Sequence, residues 1–325
     1  MSSVAPTWDP VHLPSQADKT FVVTGGNAGI GYFISEQLAR AGAHVVIASR
    51  NAEKAAAAQR AIVGQVPRAS VSFIRFDLSS LAGVAESAAK ISALDRIDGI
   101  IENAAVMSMP TRGSTTQDGF ELMVGATYLG NFALSALVLP ALARTAGSRL
   151  VTTGSGLVDR ADTDLSNLTA PLSRGPKFLA AGKAYQKAKT AVEVFTYELD
   201  RRLREAHLDV AAIVSRPGMA HDSKSSERPG VLAHKRGQRF REPLWALIGQ
   251  SKESAAWPAV RAAIDAGAES GQLWTPLTSV KGVPTRSEPS PPLLDPERGR
   301  SAREILFRSR MNFDPRNVNW PRSTA

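Results

Sequence analysis

Short β-branched apolar runs alternate along the chain with longer stretches in which apolar residues recur every three to four positions. Residues 20–24 (TFVVT), 43–49 (AHVVIAS), 71–76 (VSFIRF), 97–103 (IDGIIEN), 149–153 (RLVTT) and 209–214 (DVAAIV) predict strands. Between them, 32–42, 51–66, 77–94, 118–144 and 180–206 predict helices, the first stopped by Gly42. Strands that alternate with helices pair in parallel through right-handed crossovers, so the expected fold class is α/β, a doubly wound sheet with helices on both faces. Such sheets bind ligands at the carboxyl ends of their strands. After Pro217 the pattern weakens: 221–245 is basic and polar, 253–267 reads as helix and 271–276 as a last short strand. Five prolines in 282–298 predict an irregular surface connection, followed by a helix near 300–308.

Composition narrows the class. With 43% hydrophobic and 21% charged residues, the 325-residue chain can bury a core and is neither collagen-like nor low-complexity. The absence of cysteine excludes a disulfide framework, a thiolate metal site and a cysteine nucleophile, and fits a reducing compartment. No metal site is expected. Apolar runs are broken short of the roughly 18 residues of a membrane helix, and residues 1–18 lack both a basic start and an apolar segment. These features predict a cytoplasmic protein with no membrane span.

Four features carry chemistry. Between the first strand and first helix stands Thr24-Gly25-Gly26-Asn27-Ala28-Gly29-Ile30-Gly31; Gly25 and Gly29 permit a tight turn and close ligand approach, Gly31 lets helix and strand pack, and the helix N-terminus attracts phosphate. Arg50 ends the second strand, where an acidic residue commonly holds the adenosine ribose hydroxyls. A guanidinium there suits a 2′-phosphate and favours NADP over NAD, the plain alternative being a solvated arginine. Tyr185 and Lys189, four apart on a predicted helix, share one face, so the ammonium is expected to sit near the phenol and lower its pKa toward use as a general acid or base. Ser155 follows the strand at 149–153, where its hydroxyl can donate to a substrate carbonyl, although serines in that position commonly just form turns.

Together these residues resemble the short-chain dehydrogenase/reductase superfamily, in particular its branch similar to retinol dehydrogenases and WW-domain oxidoreductases, from about Thr20 to Met219. The family's T-G-x-x-x-G-I-G loop stands at 24–31, its Asp-Leu pair as Asp77-Leu78, its N-N-A-G motif as Glu102-Asn103-Ala104-Ala105, its Y-x-x-x-K as Tyr185 and Lys189, and its P-G turn as Pro217-Gly218. The resemblance implies a Rossmann-type sheet of about seven strands with NAD(P) across its carboxyl edge. Tyr185 then exchanges a proton with substrate, Lys189 holds the nicotinamide ribose and lowers the tyrosine pKa, and Ser155 polarises the carbonyl or alcohol. Asp77 and Leu78 lie on the adenine side, Asn103, Ala104 and Ala105 line the adenosine and ribose, and Pro217, Gly218 and Met219 approach the nicotinamide. Two departures stand out. Ala105 replaces a glycine, and Thr127 occupies the position of the active-site asparagine, which in the family supports a water leading to the lysine. Asn131, one turn later, falls where the family commonly has histidine. The 30-residue interval from Ser155 to Tyr185 resembles the branch's longer insertion, which would place residues 158–177 beside the substrate mouth.

The formal net charge of +9 raises the question of an anionic partner. Arg228, His234, Lys235, Arg236, Arg239 and Arg241 cluster behind Lys224, and a solvated face or subunit contact explains them as well as recruitment of an acidic substrate. Few aromatics are interleaved, so nucleic-acid binding is not expected. Met107, Met109, Trp245, Leu247 and Trp257 are candidates for an apolar pocket wall or for core. Apolar stripes in Leu134–Leu142 and Ala188–Leu199 leave a homodimer open. The expected organisation is a lead at 1–19, a cofactor-binding domain at 20–276 whose segment 219–250 covers substrate, and a C-terminal extension at 277–325. The expected function is NADP(H)-dependent hydride transfer to or from a carbonyl/alcohol of a small hydrophobic molecule. Two rivals remain: a catalytically weakened nucleotide-binding scaffold or sensor, and a lyase or epimerase using the same Tyr-Lys pair.

Overall fold

A computed structural model describes residues 8–106, 114–160, 165, 168, 177–234 and 248–308. Its elements are β1 (Thr20–Thr24), α1 (Gly29–Arg40), β2 (His44–Ser49), α2 (Ala52–Gln65), β3 (Ser70–Arg75), α3 (Leu81–Ser92), β4 (Gly99–Glu102), α4 (Leu122–Leu142), β5 (Ser148–Thr153), α5 (Lys177–Glu205), β6 (Val210–Ser215), β7 (Ala220–His221), β8 (Gln250–Ser251), α6 (Lys252–Ile264), β9 (Leu273–Pro276), β10 (Pro284–Ser287) and α7 (Pro296–Arg308).

The main sheet runs β10-β9-β6-β5-β4-β1-β2-β3, seven strands parallel and β10 antiparallel to β9. Strand order reverses between β4 and β1, which opens a crevice beyond their carboxyl ends. Alternation within each strand feeds two cores. Val22, Val46, Ile100 and Leu150 pack under α3, α4 and α5, whereas Phe21, Val23, Ile47 and Ile101 pack under α1, α2 and α6. A short parallel pair, β7 with β8, lies outside the sheet.

Two sequence readings change. The proline-rich stretch is not wholly irregular, because β10 joins the sheet through register pairs from Pro284–Pro276 to Ser287–Leu273. Its reversed direction and four-residue length hid it from periodicity. Second, α4 has the length and apolar composition of a membrane-crossing helix, although polar and glycine positions such as Thr127 and Asn131 break its runs. Of its most apolar 18-residue window, 89% is buried within this chain, so α4 serves as a core helix. It opens on one α-helical turn, passes through a π turn at Gly125–Gly130 and continues α-helical from Asn131.

Candidate active site

The β1–α1 loop turns with Gly25 at φ 67° and Gly29 at φ 60°, both in the left-handed region that side chains disfavour. A Cβ on Gly31 would lie 2.4 Å from the Gly25 carbonyl oxygen and 2.5 Å from Asn103 Nδ2, so only glycine fits there. A Cβ on Gly29 would meet nothing within 4 Å, which leaves open space before the helix. The residue capping α1 is Ala28, whose side chain satisfies none of the free N–H groups of the first turn. Asn27 and Ile30 flank this turn, both half-buried. A glycine cradle, an uncapped helix start and open space together fit a dinucleotide pyrophosphate.

The loop after β4 closes the crevice from the other side. Asn103 Nδ2 donates to the Thr24 carbonyl at 3.1 Å, and the Ala104 N–H donates to Thr24 Oγ1 at 2.9 Å. Helix α4 holds the same loop. The Val106 N–H donates to Thr127 Oγ1 at 3.1 Å, while Asn131 Nδ2 donates to the carbonyls of Ala104 (3.1 Å) and Thr127 (2.8 Å). Asn131 therefore bridges α4 to this loop, and its Oδ1 is buried without a partner. Ala105 is half-buried in the same stretch. Arg50 stands exposed one residue past β2. Beyond β3, Asp77 accepts from the N–H and hydroxyl of Ser79 (3.0 and 2.8 Å), forming a turn, and Leu78 packs partly buried against the core.

Ser155 follows β5, Tyr185 meets it from α5 through a hydrogen bond, and Lys189 stands one turn further along the helix. Lys189 is 3% exposed and its Nζ donates to the Thr153 carbonyl at 2.5 Å. Burial lowers its pKa to about 8, against the pull of Glu193 and Glu102. The expected lowering of the phenol is not found. Burial pushes Tyr185 upward, hydrogen bonding with Ser155 works the other way, and the Glu193 charge adds to the rise. The lysine charge is directed at Thr153 and the carboxylates instead.

Two buried residues, Glu193 and Arg216, escaped the sequence reading, and a third, Glu102, entered it only as the first residue of the N-N-A-G match. Glu193, fully buried and one turn beyond Lys189, accepts the Ser155 N–H at 2.9 Å and two Arg216 bonds at 3.0 and 2.7 Å. Arg216, immediately after β6, also binds Asp159 at 2.5 and 3.1 Å. Burial opposes its charge, but the two carboxylates outweigh that and raise its pKa. This arginine thus ties the loop carrying Ser155 to α5. Glu102 ends β4 at 3% exposure, and burial lifts its pKa to about 8 against Ser135 and Lys189. An acid inside the apolar runs GIIEN and AVEVF was the available signal.

After β6, the Pro217 carbonyl accepts from Gln250 Nε2 at 2.8 Å and the Met219 N–H donates to the Val280 carbonyl at 3.0 Å, so Gly218 is held between two loops. The described members of the basic group behind it are engaged. Arg228 binds buried Glu36 on α1 at 2.6 and 3.0 Å, and Lys224 donates to the Gly249 carbonyl at 2.8 Å. His234 meets the carbonyls of Asp222 and Ser225 at 3.0 and 2.8 Å. Lys235, Arg236, Arg239 and Arg241 lie outside the described residues, as do Met107, Met109, Trp245, Leu247 and most of 158–177. Trp257 is half-buried on α6.

A parallel sheet with a glycine loop at its switch point and a Ser, Tyr and Lys group on the neighbouring edge defines a nucleotide-dependent oxidoreductase. The short chain dehydrogenase family model matches residues 19–164. Human retinol dehydrogenase 13 is 34% identical over 255 residues, covering 77% of this chain and 74% of that protein. Mouse polyprenol dehydrogenase is 33% identical over 264 residues, 78% and 74% of the two chains. Among solved structures, an uncharacterized protein from Mycobacterium Paratuberculosis superimposes with a TM-score of 0.72 at 27% identity, covering 92% of this chain and 97% of that one. The chain belongs to the short-chain dehydrogenase/reductase family, on its retinol-dehydrogenase-like side, and is an NAD(P)-dependent oxidoreductase.

Proposed function

We propose that the protein prefers NADP(H) and interconverts a carbonyl and an alcohol on a small hydrophobic molecule. The reading is carried by the Tyr185 phenol hydrogen-bonded to Ser155, with Lys189 one turn further along α5 and the β1–α1 glycine loop at the switch point of the same sheet. Gly25, Asn27, Gly29, Ile30 and Gly31 would receive the pyrophosphate, Arg50 the 2′-phosphate, Asp77 and Leu78 the adenine side, and Asn103 to Ala105 the adenosine and its ribose. Lys189 and Tyr185 would hold the nicotinamide ribose, with Pro217, Gly218 and Met219 against the nicotinamide. When bound, the cofactor supplies or accepts the hydride. Tyr185 gives the proton to, or takes it from, the substrate oxygen, which Ser155 orients through its hydroxyl, while Thr127 holds the loop that faces them. The relatives' names supply a reason for an apolar substrate, since retinol and polyprenol are hydrocarbon-rich alcohols. A cytoplasmic location remains part of the proposal, and burial of α4 within the chain supports its reading as a core helix rather than a membrane span.

Tyr185→Phe tests the role directly. With NADPH and a panel of apolar aldehydes and ketones, turnover is expected to fall about 10³-fold, in the range of acid-base catalysis, while NADPH binding weakens by no more than about tenfold, the loss of one ribose hydrogen bond. Unchanged turnover overturns the assignment. The upward-shifted phenol favours one rival, a nucleotide-binding scaffold with weakened catalysis. NADPH binding by the wild type without hydride transfer to any carbonyl would favour that rival.

A further inference from the structure

We infer that Arg216 is a positioning residue for Ser155, acting through Glu193 and Asp159, an assignment that rests on the catalytic reading of Ser155 and Tyr185 above. Strand pairing gives the starting point. The Gly154 N–H still donates to the Ser215 carbonyl at 2.8 Å, so Ser155 is the first residue to leave the β5–β6 ladder. Its own N–H goes to Glu193 Oε1 at 2.9 Å, a bond from loop to helix. Room for that carboxylate comes from the sequence. A Cβ on Gly154 would lie 2.0 Å from the same oxygen, so Glu193 reaches the serine only across bare backbone. Glu193 stands about two turns beyond Tyr185 on α5. One helix therefore carries both the phenol and the carboxylate that anchors the serine to which the phenol is hydrogen-bonded.

Charge then brings in Arg216. A fully buried carboxylate is costly alone. Arg216, itself buried, meets it fork to fork: Nε donates to Oε1 at 3.0 Å and Nη2 to Oε2 at 2.7 Å. The other edge of the guanidinium, Nη1 and Nη2, donates to Asp159, which sits in the short 3-10 turn Val158–Arg160, four residues past Ser155. Arg216 thus grips the serine loop twice, at its start through Glu193 and at its end directly. It is anchored in turn, since its N–H donates to the Trp274 carbonyl on β9 at 2.8 Å. Two carboxylates on one side chain need the planar fork; an ammonium keeps the charge and loses that geometry. Together the three residues fix where the Ser155 hydroxyl stands relative to the Tyr185 phenol.

The test is a double-mutant cycle on the full chain with NADPH and the panel of apolar aldehydes and ketones. Turnover is counted per NADPH-binding site, so that unfolded protein drops out. Ser155→Ala alone should lower kcat about 10²- to 10³-fold. Arg216→Lys should lower it about 10²-fold, as for a displacement of roughly 1 Å, with NADPH affinity within about threefold. Asp159→Ala, at a half-exposed side chain, should lower it about tenfold. In the Ser155→Ala background neither change should cost more than about twofold further. Losses that multiply in that background mark a general structural effect and overturn the positioning role, as does full kcat in both single variants. Where Arg216→Lys binds no NADPH, Asp159→Ala carries the cycle. A second readout needs no substrate: exchange of the Ser155 amide hydrogen should quicken about tenfold in either variant, and unchanged exchange overturns the clamp. If the wild type transfers no hydride, or Ser155→Ala turns over normally, the oxidoreductase reading of the site falls and with it the part of Arg216 in the reaction, while quickened exchange still upholds the clamp.

Discussion

At the scale of single residues, the proposed NADP(H) preference rests on Arg50. Truncation to alanine would remove the charge-assisted hydrogen bonds proposed there, about 1.5–3 kcal/mol, so NADPH affinity should weaken about 10- to 100-fold with NADH affinity unchanged. Titration of cofactor fluorescence measures both, and equal losses for the two cofactors would reject the assignment. What the sequence revealed and withheld at this scale follows from range. The glycines of 24–31 are legible because a turn, a helix start and their spacing are local constraints. Glu193 and Arg216 acquire their importance only when α5 meets the end of β6, and Glu102 only when β4 lies beneath α4. The phenol of Tyr185 teaches the same lesson: four-residue spacing places a lysine nearby, but the direction of its ammonium is set by the Thr153 carbonyl, on another element.

At the scale of elements, the β1–α1 junction is tight. Gly31→Ala would place a methyl 2.4 Å from a backbone oxygen that cannot swing away. The expected result is a loss of about 1–3 kcal/mol in stability, as for overpacking, together with more than tenfold weaker NADP(H) binding. Denaturant melts and cofactor titration check the two effects, and a variant that binds normally would show the junction to be looser than drawn. Strands such as β1, predicted at the residues it occupies, were legible because their two-sided burial leaves unbroken β-branched runs. The π turn of α4 was not, because one added residue in a turn leaves the apolar spacing on either side intact.

At the scale of the molecule, the stripes that suggested a dimer lie largely in the chain's own core. Tyr128 donates to the Ala302 carbonyl on α7 at 2.6 Å, and Ala302 and Leu293 are 0% and 2% exposed. Ending the chain after Asp295 would uncover that face and leave a buried phenol without its acceptor. The truncated protein should melt lower and self-associate in light scattering, and an unchanged melt with an unchanged mass would contradict this. The outermost strands have a separate consequence, for behaviour in a crowded solution. β3 is half-exposed and ends in exposed Arg75, while β10 is four residues long, starts with a proline that offers no N–H, and turns Arg286 outward. Neither rim gives a neighbouring chain a long apolar template to extend, so a parallel sheet this wide can be kept at high concentration without templating fibrils.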